Sequence, residues 1–184
     1  MKYKGGFTLI EILVVLVIIS LLVSMAAVNT GSDPRISQLN NEAKRLKFFL
    51  EAISDEVLFQ NKNLGFVVTK TGLAPYAWVQ LTFKDPQDPS SQDTYNWQGH
   101  TGRFAKEYTL PEEMTFKLSI EGQSVILPRE FPGKDQEIKP QFYILSSGEQ
   151  TVASFELSYP DLEHTVNTYG SGVGRFMVKV NSDE

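Results

Sequence analysis

Lys4-Gly5-Gly6-Phe7-Thr8-Leu9-Ile10-Glu11, running directly into ILVVLVIISLLVSMAAV from Ile12 to Val28, holds the strongest signal in this chain. From Ile12 to Val28 there is no charge, and only Ser20 and Ser24 interrupt the hydrocarbon. With Phe7 to Ile10 added, the stretch is long enough to span a bilayer as a helix at about 1.5 Å per residue. Helix is the form lipid requires, because every backbone donor and acceptor is then paired within the segment. The many β-branched residues weaken a helix in water, a small penalty beside the apolar surface they bring to a membrane. Lys2 and Lys4 precede the run and the acids, Glu11 excepted, follow it. That asymmetry puts the lysines on the cytoplasmic side and the rest of the chain outside. Glu11 is the anomaly, since a carboxylate in an apolar helix is expensive unless neutral, interfacial or paired. The helix dipole offsets part of that near an N-terminus. Two readings stand: a carboxylate at headgroup level with no partner, or one that meets a positive partner in an assembly.

Beyond the run, Asn29-Thr-Gly-Ser-Asp-Pro34 interrupts the helical pattern near residues 31–34. Either the helix kinks, or it ends and restarts with Ser32 or Asp33 as cap and Pro34 in the first turn. From Ile36 the three- and four-residue spacing of Leu39, Ala43, Leu46, Leu50, Ile53 and Val57 predicts an amphipathic helix. Asn40, Glu42, Lys47, Glu51 and Asp55 form its polar side, and Phe48, Phe49, Leu58 and Phe59 widen its apolar face. Asn61-Lys62-Asn63 and Gly65 mark its end.

After Gly65 the period changes to two. Phe66–Thr69, Trp78–Phe83, Tyr95 and Trp97, Met114–Ile120, Val125–Leu127, Gln141–Leu145, Val152–Tyr159 and Arg175–Val180 read as strands. Residues 85–93 and 128–140 read as loops. Many short strands with close turns predict an α+β protein, a long N-terminal helix on an antiparallel β-sandwich, rather than a parallel sheet.

Composition narrows the function. The chain has 184 residues, no cysteine, and 17 basic against 22 acidic residues for a net charge of -5. Disulfides and thiolate metal sites are excluded, and an extended nucleic-acid surface is disfavoured. His100 and His164 are the only histidines; Asp161 and Glu163 beside His164 make a weak cluster without zinc-ligand spacing. Ser146-Ser147-Gly148 lacks the setting of a nucleophile elbow. Gly170 to Gly174 lacks the lysine and the serine or threonine at the offsets of a phosphate loop and reads as a turn or bulge. No catalytic residue, metal or cofactor is expected.

The N-terminal stretch resembles the type IV prepilin motif, in which a short basic leader ends in glycine and is followed by phenylalanine, Thr-Leu and glutamate. The resemblance implies that residues 1–6 are a leader and that an aspartyl prepilin peptidase cuts between Gly6 and Phe7. Phe7 then becomes the N-methylated terminus, residues 7–28 the transmembrane helix, and residues 29–64 its periplasmic continuation. Glu11 becomes the fifth mature residue, which aligns a new subunit with its neighbour's N-terminal amine. Ser24, Ala26 and Ala27 weakly imitate a signal-peptide site, and the prepilin motif argues against that alternative.

Phe142 to Tyr159, an aromatic strand, a Gly-containing turn and a Phe-x-Leu strand, resembles the late hairpin of the H-type minor pseudopilins of type II secretion. The closing Gly174 to Val180 fits that group's last strand less specifically. This implies a non-enzymatic subunit, single-pass in the inner membrane, with residues 65–184 as a periplasmic β-rich domain. Its place is near the tip of a short filament whose growth moves folded proteins through an outer-membrane secretin. The partners implied are the major pseudopilin, other minor pseudopilins, the inner-membrane assembly platform, the peptidase and membrane lipid, and no nucleic acid. The alternative is a minor pilin of a type IV pilus or competence machine, which binds DNA in some settings; Arg175 and Lys179 are the only bases in the last twenty residues.

Overall fold

The computed structural model describes residues 8–28, 33–82, 87, 92–133 and 135–181. It divides into two compact units, residues 1–36 and 37–184. The expectations that fall on Gly6, Phe7, residues 29–32 and most of 85–93 lie outside the described residues.

In the first unit, helix α1 spans Leu9–Val28. Thr8 caps it: the Glu11 N–H donates to Thr8 Oγ1 at 3.4 Å, and the Thr8 N–H donates back to Glu11 Oε2 at 3.5 Å. Thr8-x-x-Glu11 is thus a capping box that satisfies two of the donors a helix start leaves open. Side chains are described as far as Ser24, and all from Leu9 on are exposed. Among the described residues no helix is long and apolar enough to cross a membrane, so the span expected over 7–28 stands as an expectation from sequence.

Helix α2 spans Pro34–Gln60. Its N-cap is Asp33, whose Oδ1 accepts the Arg35 N–H at 2.9 Å while Pro34 fills the first helical position. The Arg35 guanidinium also pairs with that carboxylate at 2.6 Å and holds its pKa below the ordinary value. At the other end Asn61 sits at φ 51°, the Lys62 N–H reaches Val57 O at 3.3 Å and the Asn61 N–H reaches Leu58 O. That is a Schellman stop with asparagine in the left-handed position.

Leu39, Ala43, Leu46, Leu50, Ile53 and Val57 are buried on α2, as their spacing predicts. Two corrections follow from the geometry. Phe48, Leu58 and Phe59 do not widen the apolar face: they are 66%, 47% and 92% exposed, while Phe49 packs against the core. At about 100° per residue, positions eleven apart share one side of a helix, and that side faces away from the buried row. Glu42, expected on the polar side, is buried, as is Glu56.

Two antiparallel sheets complete the second unit, as the alternation predicts. One contains β1 (Leu64–Val68), β2 (Gly72–Thr82), β3 (Thr94–Gly99), β4 (Tyr108–Thr109) and β7 (Phe142–Ile144), ordered β3-β2-β1-β7 with β4 also on β2. The other contains β5 (Thr115–Ile120), β6 (Gln123–Val125), β8 (Ala153–Ser158), β9 (Thr165–Gly170) and β10 (Phe176–Asn181), ordered β10-β9-β8-β5-β6. Phe142 of the first sheet meets Phe155 of the second edge-on at 5.5 Å, and Phe66, Phe116 and Phe176 extend the cluster. The core is therefore one cluster shared by both sheets and the buried row of α2.

β2 begins six residues earlier than the alternation starting at Trp78 predicts. Pro75 is tolerated inside it because the β4 pairing ends at Leu73 and the β3 pairing begins at Tyr76. On that side only the Pro75 carbonyl is used, by the His100 N–H at 3.1 Å.

Candidate functional site

Glu11 is the one sequence-assigned site residue within the described segment. The first turn of α1 holds its carboxylate beside the Thr8 N–H, with both residues exposed. Among the described residues the carboxylate accepts this one long hydrogen bond, and its surroundings are hydrocarbon: Leu9, Ile10, Ile12, Leu13 and Val14 are each about half exposed or more. An acid in this setting is available to a cation brought by another molecule.

In the second unit α2 presents two buried carboxylates to the same stretch of chain. Glu56 accepts the backbone N–H groups of Arg103, Phe104 and Ala105 at 2.7, 2.7 and 2.9 Å, and the Gln60 side chain at 2.7 Å. Burial works against the charged form, but those four donors prevail and hold Glu56 below the ordinary carboxylate pKa. Gly102 is required here, because a Cβ on it would collide with the Glu56 carboxylate. One end of the segment is thereby tied down.

Glu42 ties the other end. It accepts the Tyr108 hydroxyl at 2.6 Å and the Arg45 guanidinium at 2.9 Å, and Arg45 continues to Thr109 O at 2.8 Å. Arg45 lies over the Tyr108 ring, 4.3 Å from its centroid. Burial, and then the bond to Glu42, push the Tyr108 hydroxyl pKa far up, so it stays a donor. The pairing of Glu42 and Glu56 with residues 102–109 fastens β4 and its approach onto α2. No sequence signal exposed it, because the partners lie 66 and 47 residues away.

The weak catalytic candidates do not assemble. Among the described residues no cluster of three or more metal-ligating side chains occurs around His164 or elsewhere. Gly172 and Gly174 have φ of 88° and 55°, and the Ser171 N–H donates to Arg175 O, so this glycine stretch is a turn. Gly148, at φ 88°, serves the 146–149 turn in the same way.

Comparison with known proteins gives three findings. Residues 1–27 match the family described as the prokaryotic N-terminal methylation motif. The chain is 32% identical over 157 residues to type II secretion system protein H of Pseudomonas aeruginosa, a match covering 81% of this chain and 80% of that one. The fold is similar to the crystal structure of the minor pseudopilin EpsH from the type II secretion system of Vibrio cholerae, with a TM-score of 0.55, 16% identity and coverage of 80% and 97%. It is also similar to the solution structure of GspH of E. coli, with a TM-score of 0.51, 15% identity and coverage of 83% and 94%.

Proposed function

The chain belongs to the type II secretion system protein H family, and on that premise we propose that it acts as a minor pseudopilin near the tip of a periplasmic pseudopilus. It is a structural subunit, whose task is to bind neighbours and transmit displacement rather than to transform a substrate. The observation that carries this reading is the match over most of both chains to a type II secretion protein. The N-terminal methylation motif over residues 1–27 supports the processing expected at Gly6 and Phe7.

The physics of α1 supports membrane anchoring. Leu13, Val14, Val15, Leu16, Val17, Ile18 and Ile19 are all between 44% and 60% exposed, so the helix is apolar on every side, unlike α2. Such a surface is stable only in lipid or among other apolar helices. In this proposal residues 7–28 hold the chain in the inner membrane, and residues 65–184 lie in the periplasm. Once the leader is removed, the neighbour's N-terminal amine supplies the cation for Glu11. The major pseudopilin, the other minor pseudopilins and the membrane assembly platform are the partners.

Site-specific crosslinking of the full-length protein in its native membrane tests this. Photocrosslinks from positions such as Phe48 to other pseudopilins support it. Absence of such crosslinks, together with tight, salt-sensitive DNA binding, instead identifies a pilus or competence subunit.

A further inference from the structure

Phe48 and Phe59 point away from the core, and each belongs to a module of the same form. At about 100° per residue, Lys44, Phe48, Ala52, Asp55 and Phe59 fall within about 80° of arc, opposite the buried row of α2. Lys44 stands four residues before Phe48, and Asp55 four residues before Phe59. The two modules are eleven residues apart, which is about three turns of helix or about 16.5 Å. Their charges are opposite. Among the described residues neither Lys44 nor Asp55 takes part in an ion pair. Lys47 pairs with Glu51 at 3.9 Å and lies 6.0 Å from the centroid of the Phe48 ring, which stays mostly exposed.

A depression of about 570 Å³ opens beside the second module, between Ala52, Asp55 and Phe59 of α2 and the pair Arg103 and Phe104. Its charged groups are two carboxylates, Asp55 and Glu56, against the one guanidinium of Arg103. Glu56 is taken up by three backbone N–H groups and the Gln60 amide. The Arg103 guanidinium lies 5.3 Å from the centroid of the Phe104 ring. Asp55 is exposed and makes this end of the stripe receptive to a cation flanked by an apolar ring.

We propose that this stripe binds α2 of a second copy of the chain, parallel to the first and displaced along the helix by eleven residues. That single displacement sets Lys44 of one copy against Asp55 of the other, and Phe48 against Phe59. The Phe48 ring of the second copy enters the depression beside Phe59 and Ala52. Other pairings fail on one count or the other. A parallel pair in register sets Lys44 against Lys44 and Asp55 against Asp55, and like charges repel. An antiparallel pair that joins Lys44 to Asp55 sets Phe48 against Glu51 and Phe59 against Asn40. Covering two exposed rings supplies most of the attraction, because a surface ion pair alone contributes little. The charges set the register. The contact is head-to-tail, so each copy in a pair keeps one module unused and open to a further copy. Parallel order is that of chains anchored in one membrane, and in this respect the inference rests on the anchoring by α1 proposed above.

Asn41 and Ala52 lie on the same stripe, also eleven residues apart, and the chain has no cysteine of its own. Full-length Asn41→Cys and Ala52→Cys proteins are mixed in phosphatidylcholine vesicles, floated to collect the anchored fraction, and treated with a short bismaleimide. The expected result is a covalent dimer in the mixture and little in either variant alone. Lys44→Glu in the Asn41→Cys copy faces Asp55 with a like charge and lowers the yield about tenfold. Asp55→Lys in the Ala52→Cys copy then restores it. Phe48→Ala in the Asn41→Cys copy lowers the yield with both charges in place. Equal yields in the mixture and the single variants, or charge reversal without effect or without rescue, overturn the proposal. Protein that floats and gives no dimer overturns this contact alone. Protein that does not float contradicts the anchoring by α1 and removes the parallel order with it.

Discussion

Thr8 and Glu11 cap each other at the start of α1, each donating its backbone N–H to the other's side chain at 3.5 and 3.4 Å. The residue expected to recognise a neighbour is therefore already engaged within its own chain. A new partner must compete with a single long, solvent-exposed hydrogen bond, which is worth only about 1 kcal/mol. The exchange is energetically accessible, and it separates the observed capping contact of Glu11 from the assembly role proposed for it.

Glu11→Gln and Glu11→Ala distinguish those roles. Glutamine keeps the capping box, because its amide oxygen still accepts the Thr8 N–H, but it carries no charge to pair with an amine. Alanine loses both. If charge pairing drives assembly, crosslinks to neighbouring pseudopilins fall in both variants while residues 37–184 stay folded. Restoration of crosslinking by glutamine assigns Glu11 a capping role only.

Glu56→Ala leaves the N–H groups of Arg103, Phe104 and Ala105 without their acceptor. The expected loss is about 3 kcal/mol of stability, since charge-assisted bonds to a buried carboxylate are among the stronger ones. Urea denaturation of the full-length protein in detergent reads it. A loss under about 0.5 kcal/mol refutes the anchoring role.

The Glu56 carboxyl also sets an acid limit. Its pKa is held below the ordinary value in the folded protein, so its contribution is complete above the unfolded value of about 4.3 and is lost as pH falls through the lower folded one. Hydrogen exchange at Arg103 to Ala105, corrected for the intrinsic rate, shows constant protection from neutral pH to about 4.3. Protection drops below it. Loss of protection near neutrality contradicts this account.

Gly102→Ala places a methyl group against the same carboxylate. The neighbour it meets is the clamped acid, which cannot yield without releasing its backbone donors. The expected cost is about 1–3 kcal/mol, and it shrinks when combined with Glu56→Ala because both changes act on one contact. Strict additivity in that double-mutant cycle refutes the shared contact.

The buried row of α2 was legible because helical periodicity is local, and the asparagine stop was legible because the left-handed cap is a one-residue property. The placement of Phe48 and Phe59 was misread for a physical reason: apolar character alone does not say which side of a helix meets a sheet. β9 carries no plain alternation, since one of its inward positions is Thr168, buried and donating its hydroxyl to Ala43 O at 3.2 Å. Glu42 read as a solvent-facing acid, and Glu56 drew no reading, because their partners are fixed by tertiary packing. The capping box of Thr8 and Glu11 shows in the structure, while the assembly role expected of Glu11 rests on the prepilin resemblance. The contacts of Trp97 with Trp78 and Tyr143 depend on strand register, which sequence periodicity leaves open.

The central claim is that this chain is a processed, membrane-anchored pilin-like subunit, and the mass of the mature N-terminus tests it most directly. Protein extracted from its native membrane is measured intact, and its N-terminal peptide is sequenced by mass spectrometry. The account predicts loss of residues 1–6 and a chain beginning at Phe7 with one added methyl group on its amine. A mature chain beginning near residue 28, or one that keeps Gly6 joined to Phe7, contradicts it.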